Sequence, residues 1–364
     1  MKITRKYLKA FVGYNFFDGR ALPPVSLSFN LTTKCNLKCE ICWQYGNNGI
    51  FQKESPVLLE EEMRLEHLTK IVDEVSGSLR NITLWGGEPM LHPDFSQFAA
   101  YIKNKGIYLN IITNGTFLKK FAEQLVEIKV DNLVVSVDGP QEIHDKIRGV
   151  KGSYQKIAEG LDAIRKLKYG SSKNLPKIEV NFTISHLNFD KIFESIKVFE
   201  NLSIRSIIIS HLWFTDRDTY TRNENLFNAE FNSNSPYFKA FIRDLSSVDL
   251  KILKNEILRV KNEKWRIPVS FLPDLDSKDV SPYYRDLKNI FGFQSCFIPW
   301  VTAGVLPSGD LTPCSDRPDF IVGNLKRESF TELWNSERFR LYRKSLKRNK
   351  LFPMCSRCCE LFRQ

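Results

Sequence analysis

Between residues 25 and 215 the chain repeats one unit: a short β-rich apolar run, a loop, then an amphipathic stretch. The runs are VSLSFNLTT (25–33), NITLWGG (81–87), YLNIITNG (108–115), NLVVSVDG (132–139), KIEVNFTIS (177–185) and SIRSIIISHLWF (203–214). Between them lie EEMRLEHLTKIVDEV, FSQFAAYIKNK, FLKKFAEQLVEI, SYQKIAEGLDAIRKLK and FDKIFESIKVFE, with apolar residues three and four apart. That spacing is the stripe of an amphipathic helix. The runs themselves are almost continuously apolar, as strands covered on both faces are. Six such alternations predict an α/β fold, a parallel sheet that is either a barrel or open, with right-handed crossovers. Folds of this kind carry their chemistry at the C-terminal ends of the strands.

Those ends hold every distinctive polar or glycine-rich cluster in this half. CNLKCEIC (35–42) follows the first run, GGEP (86–89) the second, TNGT (113–116) the third and SVDGP (136–140) the fourth. The first cluster spaces Cys35, Cys39 and Cys42 as C-x3-C-x2-C, one thiolate short of the usual four. Closely spaced soft ligands select zinc or an iron–sulfur cluster. Structural zinc wants a closed tetrahedron. A 4Fe-4S cluster held by three cysteines instead leaves one iron open to a reactant.

The other five cysteines, Cys296, Cys314, Cys355, Cys358 and Cys359, come after a gap of some 250 residues. A secreted disulfide framework would scatter them more evenly. Clustering, and an N-terminus without the apolar core of a secretion signal, point to metal in a reducing, cytoplasmic setting. No apolar run approaches the roughly 18 residues of a membrane span. The basic lead-in, residues 1–24, is expected to pack on the domain, its alternative being peripheral contact with an anionic membrane. The net charge of +11, from 53 basic and 42 acidic residues, favours anionic partners. Its densest run, RFRLYRKSLKRNK (338–350), reads as the solvated face of a helix, which argues against nucleic acid.

Taken together, C-x3-C-x2-C, GGEP, TNG and SVDGP in order at successive strand ends resemble the radical S-adenosylmethionine (radical SAM) superfamily over residues 25–215. The resemblance implies a partial (β/α)6 TIM-like barrel. It implies a 4Fe-4S cluster on Cys35, Cys39 and Cys42, with S-adenosylmethionine chelating the open iron and cleaved reductively to a 5′-deoxyadenosyl radical. Carried over by motif, Gly86, Gly87, Glu88 and Pro89 would receive the methionine amino group. Asn114, Ser136 and Asp138 lie where such enzymes contact the ribose or carboxylate, and Arg148 could reach the carboxylate. The plainer readings stay open: Asn114-Gly115 as a turn, Asp138 as a helix cap and Arg148 as a surface residue. Where many relatives have an aromatic residue before the third cysteine, this chain has Ile41, with Trp43 adjacent.

At the other end FIPWVTAGVLPSGDLTPC predicts a β-hairpin turning at Pro307–Asp310, followed by a helix and CSRCC. C-x12-G-x4-C and the later C-x2-C are similar to the SPASM or twitch extension. That implies one auxiliary 4Fe-4S cluster on Cys296, Cys314, Cys355 and Cys358, with Cys359 either its substitute ligand or a free thiol. A zinc site on the same residues is the alternative. The chain thus divides into an extension (1–24), a barrel (25–214), a variable segment (215–290) and a cluster-binding domain of hairpin plus helix (291–364). Residues 215–290 are expected to shape a substrate pocket or simply to connect. The implied activity is oxidation of a small, lipid-linked or sugar-linked substrate, the auxiliary cluster accepting an electron and a flavodoxin or ferredoxin donating one. Peptide modification is the alternative, with only about 24 residues ahead of the first strand for a leader-binding domain. No general base is assigned, the nearest acid to Cys314 being Asp316.

Overall fold

The computed structural model describes residues 5–46, 49–50, 62–169, 174–234, 236–315 and 318–363. Asp316 and the expected helix start at Glu61 lie outside them. Seven strands run parallel: β1 (Ser26–Asn30), β2 (Asn81–Trp85), β3 (Tyr108–Thr113), β4 (Asn132–Ser136), β5 (Lys177–Ile184), β6 (Ser206–His211) and β7 (Val269–Leu272). The chain then adds β8 (Thr302–Val305), β9 (Asp310–Thr312) and β10 (Gly323–Asn324). Ten strands form one sheet in the order β10-β9-β8-β1-β2-β3-β4-β5-β6-β7. The helices up to β5 are α1 (Arg5–Phe16), α2 (Leu65–Val75), α3 (Phe95–Asn104), α4 (Leu118–Glu127), α5 (Gln141–Arg148) and α6 (Ser153–Lys168). Six follow it: α7 (Ile192–Phe199), α8 (Arg217–Phe231), α9 (Leu250–Asn262), α10 (Val280–Arg285), α11 (Phe330–Trp334) and α12 (Glu337–Arg348).

The core lies between sheet and helices, where Leu27, Phe29, Ile82, Leu84, Leu109 and Ile111 meet helix residues such as Phe98 and Ile71. The strands are less uniformly apolar than their sequences suggest. In β2 and β4 buried residues alternate with half-exposed ones. Polar residues on this face are laced together: Asn132 donates to Asn110 Oδ1 at 2.9 Å, Asn81 to Ser26 Oγ at 3.1 Å and Ser210 to Asn181 Oδ1 at 2.7 Å. A polar inner face suits a barrel that stays partly open to a ligand rather than filled with side chains.

Two features exceed the sequence reading. The segment 215–290 contains a 15-residue helix and a seventh parallel strand paired to β6. RDTYTRNENLFNAEF conceals its helix because two of the four buried positions are Thr219 and Asn223, ahead of Phe227 and Phe231. Asp216 caps it, accepting from Thr219 N–H at 2.7 Å. Secondly, the hairpin is continuous with the barrel: β8 pairs parallel with β1, Ser26 opposite Thr302, and antiparallel with β9. The turn falls at Pro307–Asp310, with Gly309 at φ +91° and Leu306 N–H bonded to Asp310 O at 2.9 Å.

The basic run 338–350 is not wholly solvated. Phe339, Tyr342, Arg343 and Leu346 of α12 are buried, because the charges alternate with an inward stripe. The N-terminal helix packs on the domain through Tyr14, edge-on to Phe297 and Trp300. Among the described residues no helix is long and apolar enough to cross a membrane.

Candidate active site

The backbone of residues 31–34 extends the β1–β2 ladder past the strands. Leu31 N–H bonds Trp85 O, Gly87 N–H bonds Thr32 O, and Glu88 N–H bonds Lys34 O, each at 2.8 Å. GGEP therefore lies flat against the chain that launches the cysteine loop. Its glycines are required there. A Cβ on Gly86 (φ +151°) would stand 2.5 Å from Thr32 O, and one on Gly87 would run into the Lys34 carbonyl. The loop's other flank rests on the end of α5, with Glu40 N–H on Ile147 O at 2.9 Å and Lys38 N–H on Arg148 O at 3.2 Å.

A cavity of about 270 Å³ opens between these loops at the C-terminal strand ends. Cys35, Cys39 and Cys42 line it, together with Gly86, Gly87, Asn114, Ser136 and Arg148. Ile41, Trp43 and Trp85 supply apolar wall, Thr113 opens the TNGT motif there, and Tyr45 and Thr183 join as residues the motifs had not singled out. Glu88, Pro89 and Asp138 stand behind this wall, all buried.

Glu88 acts as a clip. Its carboxylate accepts from Thr113 Oγ1 (2.8 Å), Asn114 N–H (2.8 Å) and Met90 N–H (3.2 Å), tying the end of β3 to the GGEP turn. Burial pushes its pKa up to about 7, against the pull of those donors. Asn114 reaches the cysteine loop. Its Nδ2 donates to Asn36 Oδ1 at 2.9 Å and lies 3.9 Å from Cys35 Sγ, while its Oδ1 accepts from Thr116 N–H at 2.9 Å. Asn114 thus closes its turn and also braces the cysteine loop.

Asp138 is no helix cap and Arg148 no surface residue. Asp138 Oδ2 holds Arg148 Nη2 at 2.6 Å, and Oδ1 accepts from Thr183 N–H at 3.1 Å. Buried His144 accepts the Asp138 N–H on Nδ1 at 3.1 Å, and burial lowers its pKa to about 3, so the ring is neutral. So held, Arg148 turns Nη1 to Cys39 Sγ at 3.7 Å. Burial opposes its charge, but Asp138 and then Cys39 outweigh that and hold the guanidinium above its ordinary value. Burial pushes the Cys39 thiol up to about 11, Arg148 pulling it down and Cys42 and Cys35 adding to the rise. Three thiolates crowded in one wall are costly without a cation or metal to share their charge.

Residues far along the chain complete the loop's surroundings. Arg243 Nη2 donates to the Ile41 and Cys42 carbonyls at 3.2 and 3.3 Å. Trp43 stacks on Phe241 at 5.8 Å, and Phe241 packs tilted against Trp213 at 4.4 Å. His186, beyond β5, meets Glu40 at 2.9 Å. So part of 215–290 supports the cysteine loop, although none of it lines the cavity among the described residues.

The C-terminal cysteines sit in a packed surround. Phe293, three residues before Cys296, packs edge-on to Phe362 at 5.1 Å, three residues after Cys359. Ser315 runs back beside Gly304 of β8. Arg357, inside CSRCC, donates to the Tyr283, Asp286 and Asn289 carbonyls at 2.7, 2.7 and 3.0 Å. Among the described residues no three Cys, His, Asp or Glu side chains form a preformed metal group. The donor set nonetheless fits an iron–sulfur centre at the front site: soft thiols on one wall, a neighbouring cation, and backbone brought close by two glycines.

The sequence profile of the Radical SAM superfamily matches residues 29–179, and that of the SPASM iron–sulfur cluster-binding domain matches 296–359. The AdoMet-dependent heme synthase of Methanosarcina barkeri is 26% identical over 329 residues, 88% of this chain and 85% of its own. The Fe-coproporphyrin III synthase of that organism is 29% identical over 221 residues, 57% of this chain and 52% of its own, so the chain spans about half of it. Streptococcus suis SuiB bound to S-adenosylmethionine superposes with a TM-score of 0.61 at 14% identity, covering 90% of this chain and 69% of SuiB. At that identity the likeness bears on the fold alone.

Proposed function

The chain belongs to the radical SAM superfamily and carries a C-terminal SPASM iron–sulfur domain, and from that premise we propose that it oxidises a small organic, lipid-linked or sugar-linked substrate. It is an enzyme dependent on a 4Fe-4S cluster and S-adenosylmethionine. The observation that carries the reading is the single cavity in which Cys35, Cys39, Cys42, Asn114, Ser136 and Arg148 converge beside Gly86 and Gly87. Once bound, the cluster and S-adenosylmethionine would supply one-electron reductive cleavage and hydrogen-atom abstraction chemistry at this site.

The chain's own residues do the rest. Cys35, Cys39 and Cys42 would hold the cluster, and Arg148 offsets their charge while Asp138 fixes its aim. Asn114 steadies the loop at Cys35, and Ile41, Trp43 and Trp85 exclude water from one wall. Glu88 acts from behind, holding two strand ends in register. Cys296, Cys314, Cys355 and Cys358 would hold one auxiliary cluster, which would supply an electron acceptor, with a flavodoxin or ferredoxin as donor to the first.

A small substrate is supported by the heme synthase, which matches over most of its own length and by its name makes a small prosthetic group. Peptide modification is the competing reading; SuiB is known with its precursor peptide SuiA, but the likeness there is of fold. The test is anaerobic reconstitution. We expect about eight iron per chain for two 4Fe-4S clusters, and 5′-deoxyadenosine on reduction that Cys39→Ala abolishes. Replacing Cys296 and Cys314 should halve the iron and leave cleavage intact. A colourless zinc protein without cleavage would remove the reading.

A further inference from the structure

Helix α1 is mounted with its large apolar residues outward. Its inward residues are small: Ala10 is 1% exposed, and a Cβ on Gly13 would stand 2.8 Å from Trp300 Cδ1. Tyr14 wedges between Phe297 and Trp300, 4.9 Å from each ring. That close seat fixes the helix in one rotation. On the other side Leu8, Phe11 and Phe16 are 55%, 54% and 71% exposed, and Phe11 packs edge-on to Phe16 at 6.3 Å. Leu8 and Phe11 fall in one row at helical spacing. Burial alone would have turned this row inward.

The charge around the row is predominantly positive. Asp18 is the single acid in residues 1–39. Two cations of α12, Arg340 and Lys344, both pair with it. Lys347 is held by the Tyr14 carbonyl and lies 4.8 Å from the Tyr14 ring centroid. Arg20 is exposed, and the sequence adds Lys2, Arg5 and Lys6 to the same segment.

We propose that the outward row of α1, with the cations of α12 around it, docks this protein on an anionic lipid bilayer. An apolar row rimmed by lysine and arginine matches an interface of acyl chains under acidic headgroups. Nucleic acid offers the charge without an apolar layer. A second copy would set the same cations against one another. Trp300 leads into the start of β8, which pairs with the start of β1. The docking face is therefore at the strand starts, and the cavity at the strand ends keeps its access.

The experiment is flotation of the full, cluster-loaded chain with vesicles of equal parts phosphatidylcholine and phosphatidylglycerol, against phosphatidylcholine alone. The protein should float with the anionic vesicles, less so as salt rises, and stay behind with the neutral ones. Phe11→Ser with Phe16→Ser should weaken that partition about tenfold or more. Both side chains are exposed and distant from the cavity, so cleavage of S-adenosylmethionine should be unchanged, which also certifies the fold. No flotation, or flotation that the double substitution leaves untouched, overturns the proposal. Self-association that the substitution abolishes, without vesicle binding, replaces the bilayer with a second copy.

Discussion

Two buried arginines and a third in the cavity wall divide the molecule into two regimes. Arg148, in the front site, is matched by a carboxylate at 2.6 Å and faces a thiol, and its partners hold its pKa above the ordinary value. Arg343 and Arg357, in the C-terminal region, are surrounded by neutral acceptors. Arg343 donates to the Pro299, Trp334 and Gly19 carbonyls at 2.7, 2.9 and 3.2 Å, and burial holds its pKa well below the ordinary value. Arg357 binds three carbonyls of one further stretch, 283–289, and burial lowers its pKa too. A charge matched by a charge can tune a neighbouring group; one shared among carbonyls staples segments together.

The widest separation of the two regimes comes from breaking the front pair. Arg148→Gln leaves Asp138 buried and unmatched, at a cost of about 3–5 kcal/mol. Adding Asp138→Asn should restore most of that stability in denaturant unfolding. Cleavage of S-adenosylmethionine should nonetheless stay about 10–100-fold down, because the cation beside Cys39 is still missing. A double variant that cleaves like the parent would reduce Arg148 to a staple like the other two.

A second difference is in pH. Glu88 has its pKa raised to about 7, so the folded state binds its proton more tightly than the unfolded state does. The clip between β2 and β3 is then fully stabilising below the ordinary carboxylate range and weakens as pH rises through about 7. The swing is on the order of 3 kcal/mol at about 1.4 kcal/mol per unit. Thermal unfolding between pH 5 and pH 8 should show the loss, and Glu88→Gln should flatten it. An equal slope in the variant would place the titration elsewhere.

Much of the front site was legible because its residues are covalently close to strand ends. Cys35, Cys39, Cys42, Gly86, Gly87 and Asn114 announce themselves as motifs, and the period of the flanking helices says which end of the sheet they occupy. Arg243 and Phe241 were not legible, since they reach the cysteine loop across 200 residues and belong to no periodic pattern. The helix over Arg217–Phe231 was hidden by Thr219 and Asn223, polar residues on its buried face. The hydrogen-bond partners of Glu88 and Asp138 were not legible for a related reason. Motif position places a carboxylate near a ligand, but its hydrogen-bond partners are set by neighbouring loops, and those turn Glu88 to Thr113 and Asp138 to Arg148. The staple Arg343 lies in the charge-rich run 338–350, where composition alone suggests solvent, and Arg357 sits among cysteines that draw attention from it.

The staples carry the smallest expected effect and test the comparison from the other side. Arg357→Met keeps much of the side chain's apolar bulk and removes every donor, leaving the Tyr283, Asp286 and Asn289 carbonyls to find water. Arg343→Met does the same at the junction of α12 with residues 19, 299 and 334. Each should cost about 1–3 kcal/mol, the price of buried acceptors left unpaired. Neither guanidinium touches the front cavity, so cleavage of S-adenosylmethionine per folded molecule should match the parent. Proteolysis should quicken first in the segments each one joins, 283–289 for Arg357. If instead Arg357→Met left stability unchanged while altering the iron content, its charge would be acting on the neighbouring cysteines. The C-terminal region would then work as the front site does.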